Sequence, residues 1–102
     1  MNDMTIDLAD DGSTTAHEHV VLIAGDLAGP ARPAAFAFAK PGNHIVLAGT
    51  NDQAAGKLVG ELRARDIDVS FVHADTDCEA VLRDVVNQTI RRYGHLDVAY
   101  RQ

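Results

Sequence analysis

The sequence predicts a three-layer α/β domain whose middle layer is a parallel sheet of four strands. Two observations carry this. Short apolar runs occur at residues 19–25 (HVVLIAG), 45–49 (IVLAG), 69–74 (VSFVHA) and 96–100 (LDVAY). The first two are nearly continuous in apolar residues rather than alternating, as expected of strands covered on both faces. The stretches between the runs place apolar residues at helical spacing. Strand and helix therefore alternate as β-α-β-α-β-α-β, the order of parallel strands joined by right-handed crossovers.

Residues 1–18 are polar, acidic and aperiodic, with Asp3, Asp7, Asp10 and Asp11 before Gly12 and Ser13. They read as a flexible leader, and residues 19–102 as the folded domain. The first strand ends at Gly25. A short helix is expected over 33–40 (PAAFAFAK), beginning late because proline is comfortable only in the first turn, and stopped by Pro41, Gly42 and Asn43. After the second strand, Asn51 caps a helix whose Ala54, Ala55, Leu58, Val59 and Leu62 share a face. The chain turns at Asp66, Ile67 and Asp68. Thr76 and Glu79 have capping-box spacing ahead of the last helix. On that helix Cys78, Val81, Leu82, Val85, Val86, Thr89, Ile90 and Tyr93 form one apolar face. Gly94 stands where a C-terminal cap belongs.

Composition narrows the function classes. The 102 residues are 46% hydrophobic and carry a net charge of −6. One domain with a modest core fits that length. The negative charge repels a phosphate backbone, and no window is basic enough for nucleic acid or an anionic membrane. No apolar run approaches the roughly 18 residues of a membrane span. With no signal-peptide pattern and a lone Cys78, the expectation is a cytoplasmic protein. His17, Glu18 and His19 could place two imidazoles together, but no third metal ligand accompanies them. His44, His73 and His95 read as isolated residues at strand ends.

The turn after the first strand reads Ala24-Gly25-Asp26-Leu27-Ala28-Gly29-Pro30-Ala31. It resembles the T-G-x-x-x-G-x-G turn of the short-chain dehydrogenase/reductase family. Three further stretches fall in the family's order. Ala48-Gly49-Thr50 resembles the end of the second strand, Ala74-Asp75-Thr76-Asp77 the D-V-T-D stretch, and residues 93–99 (YGHLDVA) the approach to N-N-A-G. The resemblance covers residues 19–102 and implies a Rossmann-like sheet of order 3-2-1-4. It assigns cofactor-binding roles to Gly25, Gly29, Ala31, Thr50 and Asp75, weak or vestigial ones given the departures below. Thr50 stands where no acid grips the ribose, which favours NADP(H) over NAD for any cofactor, although the Arg that accompanies NADP in the family is missing. In the family the first Asp of the D-V-T-D stretch lies by the adenine; Asp75 either does the same or simply helps to start the last helix.

Departures from the family pattern shape the expected function. Pro30 stands where the family offers an N–H to the pyrophosphate. Losing one such donor costs about 1.5–3 kcal/mol. Asp26 adds a charge that, about 4 Å from a phosphate, repels it by about 1–4 kcal/mol. Arg32 offsets this only if it swings toward the loop. The family's Ser and Y-x-x-x-K pair, which place a proton donor beside the developing alkoxide, do not occur in these residues. Tyr93 and Tyr100 do not replace them. The expectation is a truncated, non-catalytic short-chain-dehydrogenase-like module with no cofactor. The alternatives are an NADP(H)- or adenine-nucleotide-binding protein, or a subunit whose active site another chain completes. The fourth strand is expected to be an open edge, with Val21, Ile23 and Val98 lacking a lid. That predicts a homo-oligomer or a partner protein covering the edge.

Overall fold

The computed structural model describes residues 19–101. The leader expected at 1–18, including His17 and Glu18, lies outside them. The elements run β1 (His19–Ala24), α1 (Ala31–Ala37), β2 (Asn43–Gly49), α2 (Asp52–Arg63), β3 (Asp68–His73), α3 (Glu79–Tyr93) and β4 (Val98–Arg101). The sheet has the order β3-β2-β1-β4, and every pairing is parallel. This is the Rossmann-like order that the family resemblance implies.

Strand alternation divides the core in two. Val21, Ile23, Ile45, Leu47 and Val69 face α1 and α2, which contribute Ala31, Ala35, Ala55, Leu58 and Leu62. Leu22, Ala24, Val46 and Ala48 face α3, which contributes Val85. All seven residues of β2 are buried. That double burial explains the unbroken apolar run from Ile45 to Ala48. Val21 and Ile23 were expected to lack cover, yet they are only 1% and 0% exposed, because the α1–α2 layer reaches them. The thin cover is at β4, where Val98 and Tyr100 are half-buried and Ala99 is exposed.

Local chemistry sets the boundaries. The first helix begins at Ala31, earlier than the late start expected from Pro33, with Pro30 as N-cap at φ −62° and ψ −24°. Pro33 is thus the third helical residue, where its missing N–H costs nothing. Asn51 caps α2 by accepting a hydrogen bond from the Ala54 N–H at 3.0 Å. Asp66 takes φ 61° in the turn before β3, a conformation that aspartate tolerates better than most residues. Gly94 ends α3 at φ 88°, and its N–H donates to the Ile90 carbonyl.

The expected capping box does not form. The N-cap of α3 is Cys78, with no side-chain cap, because Asp75 organises the preceding turn. Its carboxylate accepts from the Asp77 N–H at 3.1 Å and its carbonyl from the Cys78 N–H at 3.2 Å. Cys78 is therefore exposed rather than on the apolar face. Ile90, expected on that face, is 41% exposed.

The histidines are not isolated. His44 Nδ1 lies 2.8 Å from the Asp68 carboxylate, and its ring sits 4.2 Å from that of Tyr93. His73 meets Asp52 at 2.7 Å, and His95 meets Asp97 at 3.0 Å. Asp97 also pins the start of β4 to β1. Its N–H donates to the Val20 carbonyl, and its carboxylate accepts from the Val20 N–H at 2.7 Å.

Replacing the α2 cap, Asn51→Ala, is expected to lower stability by about 1 kcal/mol. Urea unfolding should show an earlier midpoint with an unchanged slope.

Candidate functional site

The glycine turn lies beyond the carboxyl end of β1, between β2 and β4, where a doubly wound sheet presents its ligand crevice. Gly25 has φ 136°, a backbone conformation that L side chains rarely adopt. Its N–H donates to the Ala48 carbonyl at 3.1 Å, tying the turn to the end of β2. Gly49 is needed for the same contact, because a Cβ there would sit 2.7 Å from the Gly25 carbonyl oxygen.

Asp26 organises the rest of the turn. Its carboxylate accepts from the Ala28 N–H at 3.0 Å. Its carbonyl accepts from the N–H groups of Gly29 and Ala31. A Cβ on Gly29 would lie 2.8 Å from the second carboxylate oxygen of Asp26. Gly29, assigned to a phosphate by resemblance, thus makes room for the Asp26 side chain. Ala31 is fully buried among core residues. Pro30 has no N–H to give. Three of the turn's amides are therefore committed to Asp26, where a pyrophosphate would need donors. These residues do not fit a pyrophosphate.

Gly25, Thr50 and Asp75 do converge. With Asp26, Asn51, Thr76 and Asp77 they line a cleft of about 250 Å³ beyond the carboxyl ends of β1, β2 and β3. The cleft has three aspartates and no cation on its walls, so it suits neutral, hydrogen-bonding groups such as an adenine or ribose better than a phosphate. A second hollow lies between the turn and α2, lined in part by Ala28, Arg32, Asn51 and Lys57. Arg32 does not swing toward the turn. Its guanidinium meets Glu61 at 2.6 Å and lies over the Phe36 ring. Asn51 joins the cleft beside Thr50, and Thr76 and Asp77 follow Asp75 into it, positions that no motif marks on its own. The fold of Asp26 onto the Ala28 N–H has only its two-residue spacing as a local signal.

Among the described residues, no group of three His, Cys, Asp or Glu side chains is placed to hold a metal ion. No helix there is long and apolar enough to cross a membrane.

Fold and strand order together define a Rossmann-like α/β unit. The family model described as short chain dehydrogenase matches residues 19–101, and the chain belongs to that family. Among relatives, a short chain aldehyde dehydrogenase 1 from Euphorbia lathyris is 28% identical over 81 residues, covering 79% of this chain and 28% of that protein. An 11-beta-hydroxysteroid dehydrogenase A from Sesamum indicum is 37% identical over 81 residues, covering 76% of this chain and 23% of that protein. The chain thus spans roughly a quarter of these relatives' length.

Solved structures agree on the fold. A citronellol catabolism dehydrogenase from Pseudomonas aeruginosa PAO1 superposes with a TM-score of 0.71 at 23% identity, covering 82% of this chain and 35% of that one. An alcohol dehydrogenase from the archaeon Thermococcus sibiricus, complexed with 5-hydroxy-NADP, gives 0.68 at 23% identity, covering 79% and 35%.

Gly49→Ala should cost about 1–3 kcal/mol, because its Cβ would push into the Gly25 carbonyl rather than into a flexible side chain. Thermal unfolding followed by circular dichroism measures this. An unchanged midpoint would mean that the turn gives way freely.

Proposed function

We propose that this chain serves as a non-catalytic module of the short-chain dehydrogenase fold, acting through association with a second copy or a partner chain. The observation that carries this reading is the Asp26 carboxylate, which accepts the Ala28 N–H and packs on Gly29 inside the turn. A dinucleotide would have to displace that carboxylate, then bind without a donor from Pro30. Each lost charge-assisted bond costs about 1.5–3 kcal/mol, so the combined loss spans several powers of ten in affinity. The residues given also hold no Ser with a Tyr-x-x-x-Lys pair, so a proton donor for carbonyl reduction would come from elsewhere.

A second reading rests on a separate observation. Gly25, Thr50 and Asp75 meet in one cleft. This supports an NADP(H)- or adenine-nucleotide-binding protein that grips chiefly the adenosine end. Thr50, in place of an acid, favours NADP(H) over NAD, and one structural neighbour was solved with an NADP analogue. In the same reading, the chain could serve as a reductase subunit whose Ser, Tyr and Lys another chain supplies.

Calorimetric titration with NADPH, NADH and ATP separates the two. The first reading expects no saturable binding at micromolar ligand. It also expects the Asp26→Gly, Pro30→Ile double variant to gain at least about tenfold in NADPH affinity, one charge-assisted bond's worth. Saturable micromolar binding by the unaltered chain would replace the first reading with the second.

A further inference from the structure

Asp68, His44 and Ser70 form a chain of polar contacts on the α3 face of the sheet. The parallel register sets His44 opposite Asp68 and Val46 opposite Ser70. Residues two apart on a strand share a face, so all three side chains project toward α3. His44 Nδ1 lies 2.8 Å from Asp68 Oδ2, and its Nε2 lies 3.3 Å from Ser70 Oγ. His44 is only 4% exposed. The Tyr93 ring packs on the imidazole with centroids 4.2 Å apart, and the Tyr93 hydroxyl lies 3.5 Å from Ser70 Oγ. The imidazole is therefore held between a carboxylate and a hydroxyl. A carboxylate beside Nδ1 keeps the proton there, which leaves Nε2 to accept one from the hydroxyl.

We propose that Ser70 is an activated nucleophile that accepts a small acyl group from an activated ester, with His44 as its base and Asp68 as the residue that orients the base. Ser70 opens onto a hollow of about 60 Å³ between β3 and α3, whose lining includes Val46, Val72, Gln88, Thr89 and Arg92. That space suits an acetyl-sized group rather than a long chain. Thr89, the other hydroxyl there, already donates to the Val85 carbonyl at 2.8 Å, so it is Ser70 that has its hydroxyl beside a base. Gln88 and Arg92 supply side-chain N–H groups for the oxygen that gains charge during attack. The 3.3 Å contact between base and nucleophile is of the kind that shortens when a substrate binds.

In the step itself, Ser70 Oγ bonds to the acyl carbon and its proton passes to His44 Nε2. The bond from that carbon to the leaving oxygen then breaks, and the proton moves on to the leaving oxygen. An ester and the chain are the only reactants. Every residue involved belongs to β2, β3 or α3. His44 and Asp68 lie at the amino ends of their strands, and the glycine turn lies at the carboxyl end of the sheet. The site is thus separate from hydride chemistry, from the nucleotide crevice and from the association proposed above.

The test is acetylation of the full chain by p-nitrophenyl acetate, with the acetyl group located by peptide mass mapping. Ser70 should be acetylated far faster than the exposed hydroxyl of Thr50. Ser70→Ala, a small change at a half-buried position, should remove that acetyl and keep the circular dichroism spectrum. His44→Gln should slow the labelling of Ser70 by about a hundredfold, a usual contribution of a general base. Asp68→Asn should slow it by at least about tenfold, and Asp68→Glu should recover most of the rate, which a merely structural role would not produce. Asp68 is exposed, so this pair of variants reads the relay even if His44→Gln unfolds. Labelling of Ser70 no faster than that of Thr50, or unchanged in His44→Gln, overturns the proposal. Labelling unchanged in Asp68→Asn overturns the orienting role of Asp68.

Discussion

Asp26 is the hub on which the ligand end of this molecule depends. Its carbonyl gathers the N–H groups of Gly29 and Ala31, and its carboxylate takes that of Ala28. These bonds close the passage from β1 to α1 and allow the helix to begin directly after Pro30. They also satisfy, within the chain, amides that a helix N-terminus would otherwise present to an anion. One residue therefore holds the turn together from within.

The consequences spread through contact. Because Gly25 is tied to Ala48 and presses on Gly49, the turn and the end of β2 move as a unit. Thr50 and Asn51 follow directly and bring the cleft's middle wall into place. Asp75 closes the third wall and at the same time organises the entry to α3. The same aspartates that shape the cleft make it acidic. A shape suited to an adenosine thus sits beside a turn ill suited to a pyrophosphate. At the opposite side of the sheet's centre, Asp97 fixes β4 against β1.

Much of this was legible in the residues. The strands followed from apolar runs, because double burial forces a run such as Ile45–Ala48 to be apolar throughout, and their order followed from the family resemblance. The Asn51 and Gly94 caps were legible because each acts within a few residues. Boundaries that hang on competition were not. Thr76 lost the cap of α3 because Asp75 bound the neighbouring amides first. The start of α1 lies earlier than Pro33 because a proline is tolerated throughout the first turn, where its missing N–H has no intrahelical partner to lose. The histidine partners escaped notice because His44 meets Asp68, and His73 meets Asp52, only when separate elements pack side by side. Of the site residues, Gly25, Thr50 and Asp75 line one cleft. Gly29 lies against the Asp26 carboxylate, and Ala31 lies in the core.

The central claim is that the Asp26 carboxylate occupies the turn, and the Ala28 amide reports on it most directly. In amide-resolved NMR, the Ala28 resonance should move when Asp26 is replaced by alanine, and in the unaltered chain it should stay in place when excess NADPH is added. An Ala28 amide indifferent to Asp26→Ala, yet shifted by NADPH in a saturable manner, would contradict the account.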